Sequence, residues 1–305
     1  MNKEKEYADF LSEIIMRVEE KYKGKVKGEV CSSVKNNGVV VTGMLLRGED
    51  KRVAPSFYLE PQYVQWIRGQ NSLEEITEQL CTAYEDEIKK NSNLLSAIQF
   101  DWRIFHRRVF MRLVNKEKNL ERLKELPHRE FLDLAIVYYY AVPISDGMTG
   151  TMIITKEHLE LLEITEEELH QAAVNNRDRF QPAKIRCMED VVYDLAKRLG
   201  VEIQEACCKY PFLYVLSNEN GFFGAVAMTS QEELDCFSKR INNSFYVLPS
   251  SVHEVILVPE SKEFCVEYFA NMVREINETQ VEATEVLSDS IYFYDINLKS
   301  IRRVA

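Results

Sequence analysis

The tetrad Lys35-Asn36-Asn37-Gly38 constrains this chain more than any other short stretch. It separates two runs of strand character, Lys25 to Val34 and Val39 to Arg47, and Asn-Gly supplies the positive φ that a tight reversal needs. The two runs are therefore predicted to pair antiparallel, and the rest of the fold has to cover an antiparallel sheet. Ahead of the turn, Phe10, Leu11, Ile14, Ile15 and Val18 recur at helical spacing, which predicts an amphipathic helix over 3–22. After it, Ser56 to Leu59 reads as a further strand. Ser72-Leu73-Glu74-Glu75 reads as a capping box that opens a helix to about Lys90.

The same punctuation continues downstream. Asp101 to Val114 interleaves aromatics with Arg103, Arg107, Arg108 and Arg112, and Phe105, Val109 and Leu113 recur every four residues. This predicts a helix with a buried apolar stripe and arginines on its wet face. Asn115 to Leu126 reads as a polar helix ended by Pro127, and Arg129 to Val142 as one apolar strand. Its antiparallel partner is Gly150 to Thr155, across a turn at Ser145-Asp146-Gly147. Thr155 and Thr165 are N-cap candidates, the second in a box with Glu168. Met188 to Leu199 is a predicted helix stopped by Gly200. Phe212–Leu216 and Phe222–Met228 are predicted strands around a turn at 218–221, and Ser230 to Glu233 opens a helix to Ile241. Strands at 245–248 and 255–258 and a helix over 262–276 follow. Helices and hairpins in mixed order predict an α+β chain with mixed, mainly antiparallel sheets and packed helices, in one or two closely associated domains. The division is placed at 1–126 and 127–305.

Charge and cysteine usage narrow the partners. Lys plus Arg is 38 and Asp plus Glu is 49, a formal net charge of −11, which repels a phosphate backbone and argues against nucleic acid. The longest apolar run, Phe131 to Ile144, contains Asp133 and Pro143 and is too short to span a bilayer as a helix. The first 24 residues are charged from the start, unlike a secretory leader. Seven scattered cysteines without a CxxC pair fit free thiols in a reducing cytoplasm better than a disulfide framework. Among them, Cys207-Cys208 is a weak redox candidate.

The stretch with the most chemical content is Pro249-Ser250-Ser251-Val252-His253-Glu254, a polar step between two β-rich runs. Ser250 or Ser251 as nucleophile, His253 as base and Glu254 as its orienting group would make a hydrolase-like site. However, His253 and Glu254 are adjacent and so point to opposite faces of a strand, and no Gly-x-Ser-x-Gly elbow surrounds the serines. The alternative is a polar turn in which these groups bond backbone. His128 is a further candidate contact, with Asp133 or Asp146 as its partner in space. No histidine follows His253-Glu254 at the spacing of a zinc helix, since position 257 is Leu, and no metal or cofactor motif is present. Gly221-x-x-Gly224 reads as a hairpin turn and not a phosphate loop.

Four stretches carry a likeness to a known family. The first is Pro55-Ser56-Phe57-Tyr58-Leu59 with Gly69 and Ser72-Leu73-Glu74-Glu75-Ile76. The second is Leu113-Val114-Asn115 with Asn119, Leu126-Pro127-His128 and Phe131-Leu132-Asp133-Leu134-Ala135. The third is Ile164-Thr165-Glu166-Glu167-Glu168-Leu169 with Ala172 and Asn175-Asn176. The last joins Asn218, Gly221-Phe222-Phe223-Gly224-Ala225 and Leu248 to Glu254. Together they resemble, over nearly the whole chain, the bacterial family called domain of unknown function 5688. The C-terminal half is also similar to domain of unknown function 1444. The resemblance implies a cytoplasmic bacterial protein and carries over no catalytic residue. The functional expectation is a binding or protein-interaction module without a cofactor, its partner an unknown protein or small molecule rather than nucleic acid or membrane. The competing expectation is the hydrolase-like site.

Overall fold

The apolar stripe near the start lies on helix α1, Lys3–Lys21, and Phe10, Leu11, Ile14, Ile15 and Val18 are all buried. The computed structural model describes residues 3–49, 54–91, 98–143, 149–201, 213–249, 251–262 and 265–305. Two compact units emerge, residues 1–99 with 142–150, and residues 100–141 with 151–305.

In the first unit the predicted hairpin is β1 (Val26–Val34) and β2 (Val40–Gly48), in register from Val26 opposite Gly48 to Val34 opposite Val40. Asn37 at φ 61° and Gly38 at φ 70° supply the left-handed turn. Strand β3 (Ser56–Phe57) joins β2. Helices α2 (Glu60–Ile67) and α3 (Leu73–Asn91) follow. The capping box at α3 is formed reciprocally: the Glu75 amide donates to the Ser72 hydroxyl at 3.2 Å, and the Ser72 amide to the Glu75 carboxylate at 2.8 Å. Helix α1 lies on the hairpin and α3 on α1, so Met44 and Leu46 from the sheet meet Leu11, Ile14, Ile76 and Leu80.

The second unit holds two antiparallel sheets. One is built from β4 (Val109–Asn115), β5 (His128–Phe131), β6 (Leu134–Pro143) and β7 (Thr149–Ile153), in the order β4-β6-β5, with β7 also paired to β6. Three expectations fail along this stretch. Asp101 to Val114 is not one helix. A single turn, α4 (Trp102–Phe105), capped by Asp101, gives way to β4. Pairing with β6 across seven residues and burial on both faces outweigh the four-residue spacing, and Arg112 consequently points into the unit rather than into water. The polar helix expected after it shrinks to a 3-10 turn and α5 (Leu120–Leu123). Arg129 to Val142 is two strands, because Leu132, at φ 56°, reverses the chain before Asp133. The predicted turn at 145–147 lies outside the described residues.

Helices α6 (Lys156–Leu162) and α7 (Glu166–Phe180) start at Thr155 and Thr165, both in capping boxes. Helix α7 packs on β4, and its buried Asn176 amide donates to the carbonyls of His106 (2.7 Å) and Val109 (2.8 Å), fixing the passage from turn to strand. Strand β8 (Ala183–Cys187) then leads into α8 (Met188–Leu199), closed by Gly200 at φ 68°. The second sheet runs β13-β12-β10-β11-β9-β8. It comprises β8, β9 (Tyr214–Asn218), β10 (Phe245–Leu248), β11 (Val255–Pro259), β12 (Tyr292–Asp295) and β13 (Ser300–Arg303). Helices α9 (Gln231–Ile241) and α10 (Val266–Thr279) complete it, α10 packing Phe269, Ala270 and Val273 on Leu248 and Val258. The strand expected at 222–228 is a buried 3-10 turn, Gly224–Thr229. Strand β9 is already paired on both sides, by β8 and β11, so no edge is open to it.

Two histidines give the second unit a pH dependence. His158 Nδ1 accepts the Thr155 amide at 3.0 Å inside the α6 capping box, and His170 Nδ1 is bonded to the Tyr138 hydroxyl at 3.0 Å. Burial pushes both imidazoles below their ordinary value of 6.5, with Arg129 adding to the effect at His170. As pH falls through 6.5 the unfolded chain takes up these protons first, so stability is full above that value and declines towards the folded-state pKa values. Urea midpoints of the second unit should fall on acidification below 6.5, and less steeply in a His158→Asn/His170→Asn variant. An unchanged slope would refute the assignment.

Candidate functional site

The polar step between β10 and β11 folds back under the 3-10 turn. Ser251 bridges to Val286, and the Val252 amide donates to the Glu285 carbonyl at 2.9 Å. The Ser251 hydroxyl accepts the His253 amide at 3.0 Å, a local side-chain turn. The His253 carbonyl accepts the Ser217 hydroxyl at 2.8 Å, and its ring Nδ1 accepts the Phe223 amide at 3.2 Å. That bond leaves the ring proton on Nε2, which sits 3.4 Å from a Glu285 carboxylate oxygen. The imidazole also stacks on Phe223, centroids 5.6 Å apart and planes 4° apart. The group beside His253 is therefore Glu285, from far along the chain, while Glu254 is exposed at the start of β11. Ser250 lies outside the described residues.

The other two candidates are held elsewhere. The Asp133 carboxylate accepts the hydroxyls of Ser288 (3.1 Å), Ser290 (2.8 Å) and Tyr292 (2.7 Å). Burial, reinforced by that carboxylate, holds the Tyr292 phenol protonated far above its ordinary range. His128 Nδ1 bonds the Leu126 carbonyl at 3.0 Å, at the opposite end of β5 from the Asp133 turn. Among the described residues no group of three His, Cys, Asp or Glu is placed to hold a metal. None of their helices is long and apolar enough to cross a membrane.

An open groove of 460 Å³ lies on the first unit, between α1, α2 and the start of α3. Its lining is aromatic at Phe10, Tyr63 and Trp66, with centroids 5.2 to 6.0 Å apart, and acidic at Glu6, Asp9 and Glu13. Helix α2 has no buried residue, and it leaves Trp66 37% and Ile67 61% exposed. Glu13 is neutralised by Arg17 at 2.8 Å, whereas Glu6 and Asp9 face no cation among the described residues. The sequence reading passed over α2, although Pro61 in its first turn and the 63, 66, 67 spacing are helix signals.

Gly224 ties the polar step to β9. An added Cβ would lie 2.1 Å from the Ser217 hydroxyl and 2.7 Å from the His253 carbonyl. Gly224→Ala should cost about 1–3 kcal/mol by overpacking, and His253→Ala a similar amount by orphaning the Phe223 amide, each about 1–3 kcal/mol. Glu254→Ala should stay within about 0.5 kcal/mol. Urea titration of the three variants checks the order, and a Glu254 effect as large as the His253 effect would contradict it.

Only the comparison with family models returns a match. No curated protein and no solved structure matches the chain. The match gives no support to the second likeness, to domain of unknown function 1444. It spans residues 7–296 of the 305, taking in all of the groove but Glu6, the Asp133 turn and the His253 step, and the chain belongs to the Family of unknown function (DUF5688).

Proposed function

We propose that this protein is a binding module whose first unit takes a basic, amphipathic segment of a protein partner in the groove between α1 and α2. The observation that carries this reading is the exposed apolar face of α2, bordered by Glu6 and Asp9, which pair with no cation among the described residues. Helix α2 is anchored through Tyr63, which packs on Tyr7 and Phe10, and apolar contacts from a partner would bury its exposed Trp66 and Ile67. A lysine or arginine from that partner over Trp66 or Tyr63 gains about 0.5–2 kcal/mol from the ring faces. The acidic rim and the net charge of −11 favour a cationic segment and speed its approach. Cytoplasmic residence goes with this reading, since Cys31, Cys81, Cys187, Cys236 and Cys265 are free thiols. The hydrolase-like alternative has less support, because Ser251 is bonded to the His253 amide and not to its ring.

The chain has 2 tryptophans, so Trp102→Phe leaves Trp66 as the sole indole reporter. Titration with an amphipathic Lys/Leu peptide should blue-shift its emission, and the Glu/Leu counterpart should not bind. Glu6→Lys with Asp9→Lys should weaken binding roughly tenfold, and added salt should weaken it further. Equal binding of both peptides, or indifference to the charge reversal, would sink the proposal.

A further inference from the structure

Arg112 projects from the middle of β4 into the second unit, on the face that carries Phe110 and Tyr139 across the β4–β6 pairing. Opposite residues in register share a face, so Arg112, Val137 and His128 form one rung of this sheet. The Arg112 guanidinium lies over Phe223, 4.6 Å from the ring centroid. Among the described residues its buried Nε has no acceptor, and no carboxylate pairs with the guanidinium. Arg122, from α5, is half-buried and close enough for the two positive charges to repel. Burial first, and Arg122 second, push the Arg112 guanidinium down to about 10. On the same face, diagonally across from it, is Tyr139, whose hydroxyl accepts from Gln181 Nε2 at 3.2 Å and has its own proton free of any acceptor among the described residues. Burial raises the Tyr139 phenol above its ordinary range, so that proton stays in place at neutral pH.

We infer that Arg112 and Arg122, with the Tyr139 hydroxyl, form a binding site for an oxyanion of the phosphate class, with Phe223 as the platform beneath the Arg112 fork. Two forked cations and a phenol supply donors, and among the described residues no carboxylate answers them, with Arg112 Nε left unmet. Burying a guanidinium without a counter-charge is costly, and a ligand with several anionic oxygens answers both forks at once. A single carboxylate would leave one fork unmet. The site belongs to the second unit and does not depend on the groove reading.

The test is a thermal-shift titration of the full chain with inorganic phosphate and with a phosphomonoester such as phosphoserine, against chloride at matched ionic strength. Both phosphates should raise the melting temperature of the second unit beyond chloride, and the rise should vanish in Arg112→Met and in Arg122→Gln. Because Met replaces a buried unpaired charge with an apolar chain of similar length, Arg112→Met should melt no lower than the wild type in chloride. Arg122, being half-buried, provides a second variant that does not disturb β4. Tighter binding of the phosphomonoester would identify a phosphorylated small molecule as the natural occupant, and equal binding the free anion; either supports the site. Shifts no greater than those of chloride, or shifts that persist in both variants, would overturn it.

Discussion

At Gly224 the backbone passes so close to Ser217, Asn218 and His253 that no side chain fits between them. Much of the second unit's interior follows from that approach. It holds the 222–229 stretch as a 3-10 turn against β9, with Asn218 bonding the Phe222 backbone in both directions, at 2.8 and 3.3 Å. Phe223 is thereby forced into the left-handed region at φ 54°, where its amide meets the His253 ring and its own ring meets Arg112. One glycine positions an aromatic residue, and that residue organises both the His253 ring and the Arg112 cation.

The second unit treats its two interior charges differently. Asp133 is a carboxylate with three hydroxyls pointed at it, a fully answered acceptor. Arg112 has an aromatic platform and a repelling neighbour, and its Nε has no acceptor among the described residues. A half-buried carboxylate answered by three hydroxyls is architecture in the ordinary sense. A buried donor set without acceptors is the more informative of the two, because folding alone gives no reason to keep it.

Local chemistry was legible in the sequence and long-range pairing was not. The helix Met188–Leu199 with its Gly200 stop, the hairpin around Asn37-Gly38 and the capping boxes at Ser72 and Thr165 depend on residues three or four apart, and they stand where the spacing placed them. The failures share a different cause. Whether 109–115 is helix or strand depends on β6, and whether 222–228 is a strand depends on β8 having already taken the edge of β9. The reversal at Leu132-Asp133 has only Asp133 as a turn residue, and its positive φ falls on Leu132, a residue that rarely adopts it, so the local signal is faint. The same limit applies to the site residues. His253 was visible as chemistry, but its neighbour Glu285 lies beyond β11 and α10, and Arg112 was assigned to water because its strand read as a helix.

The six-stranded sheet ends in β13 on one side and β8 on the other, and both ends carry basic side chains. Arg302 and Arg303 sit on β13, Lys184 and Arg186 on β8. A second chain that tried to extend the sheet would meet Arg302 and Arg303 at one margin and, at the other, Lys184 beside the Arg186–Asp194 ion pair. A long antiparallel sheet is an inviting template for strand addition, and charged margins of this kind oppose it.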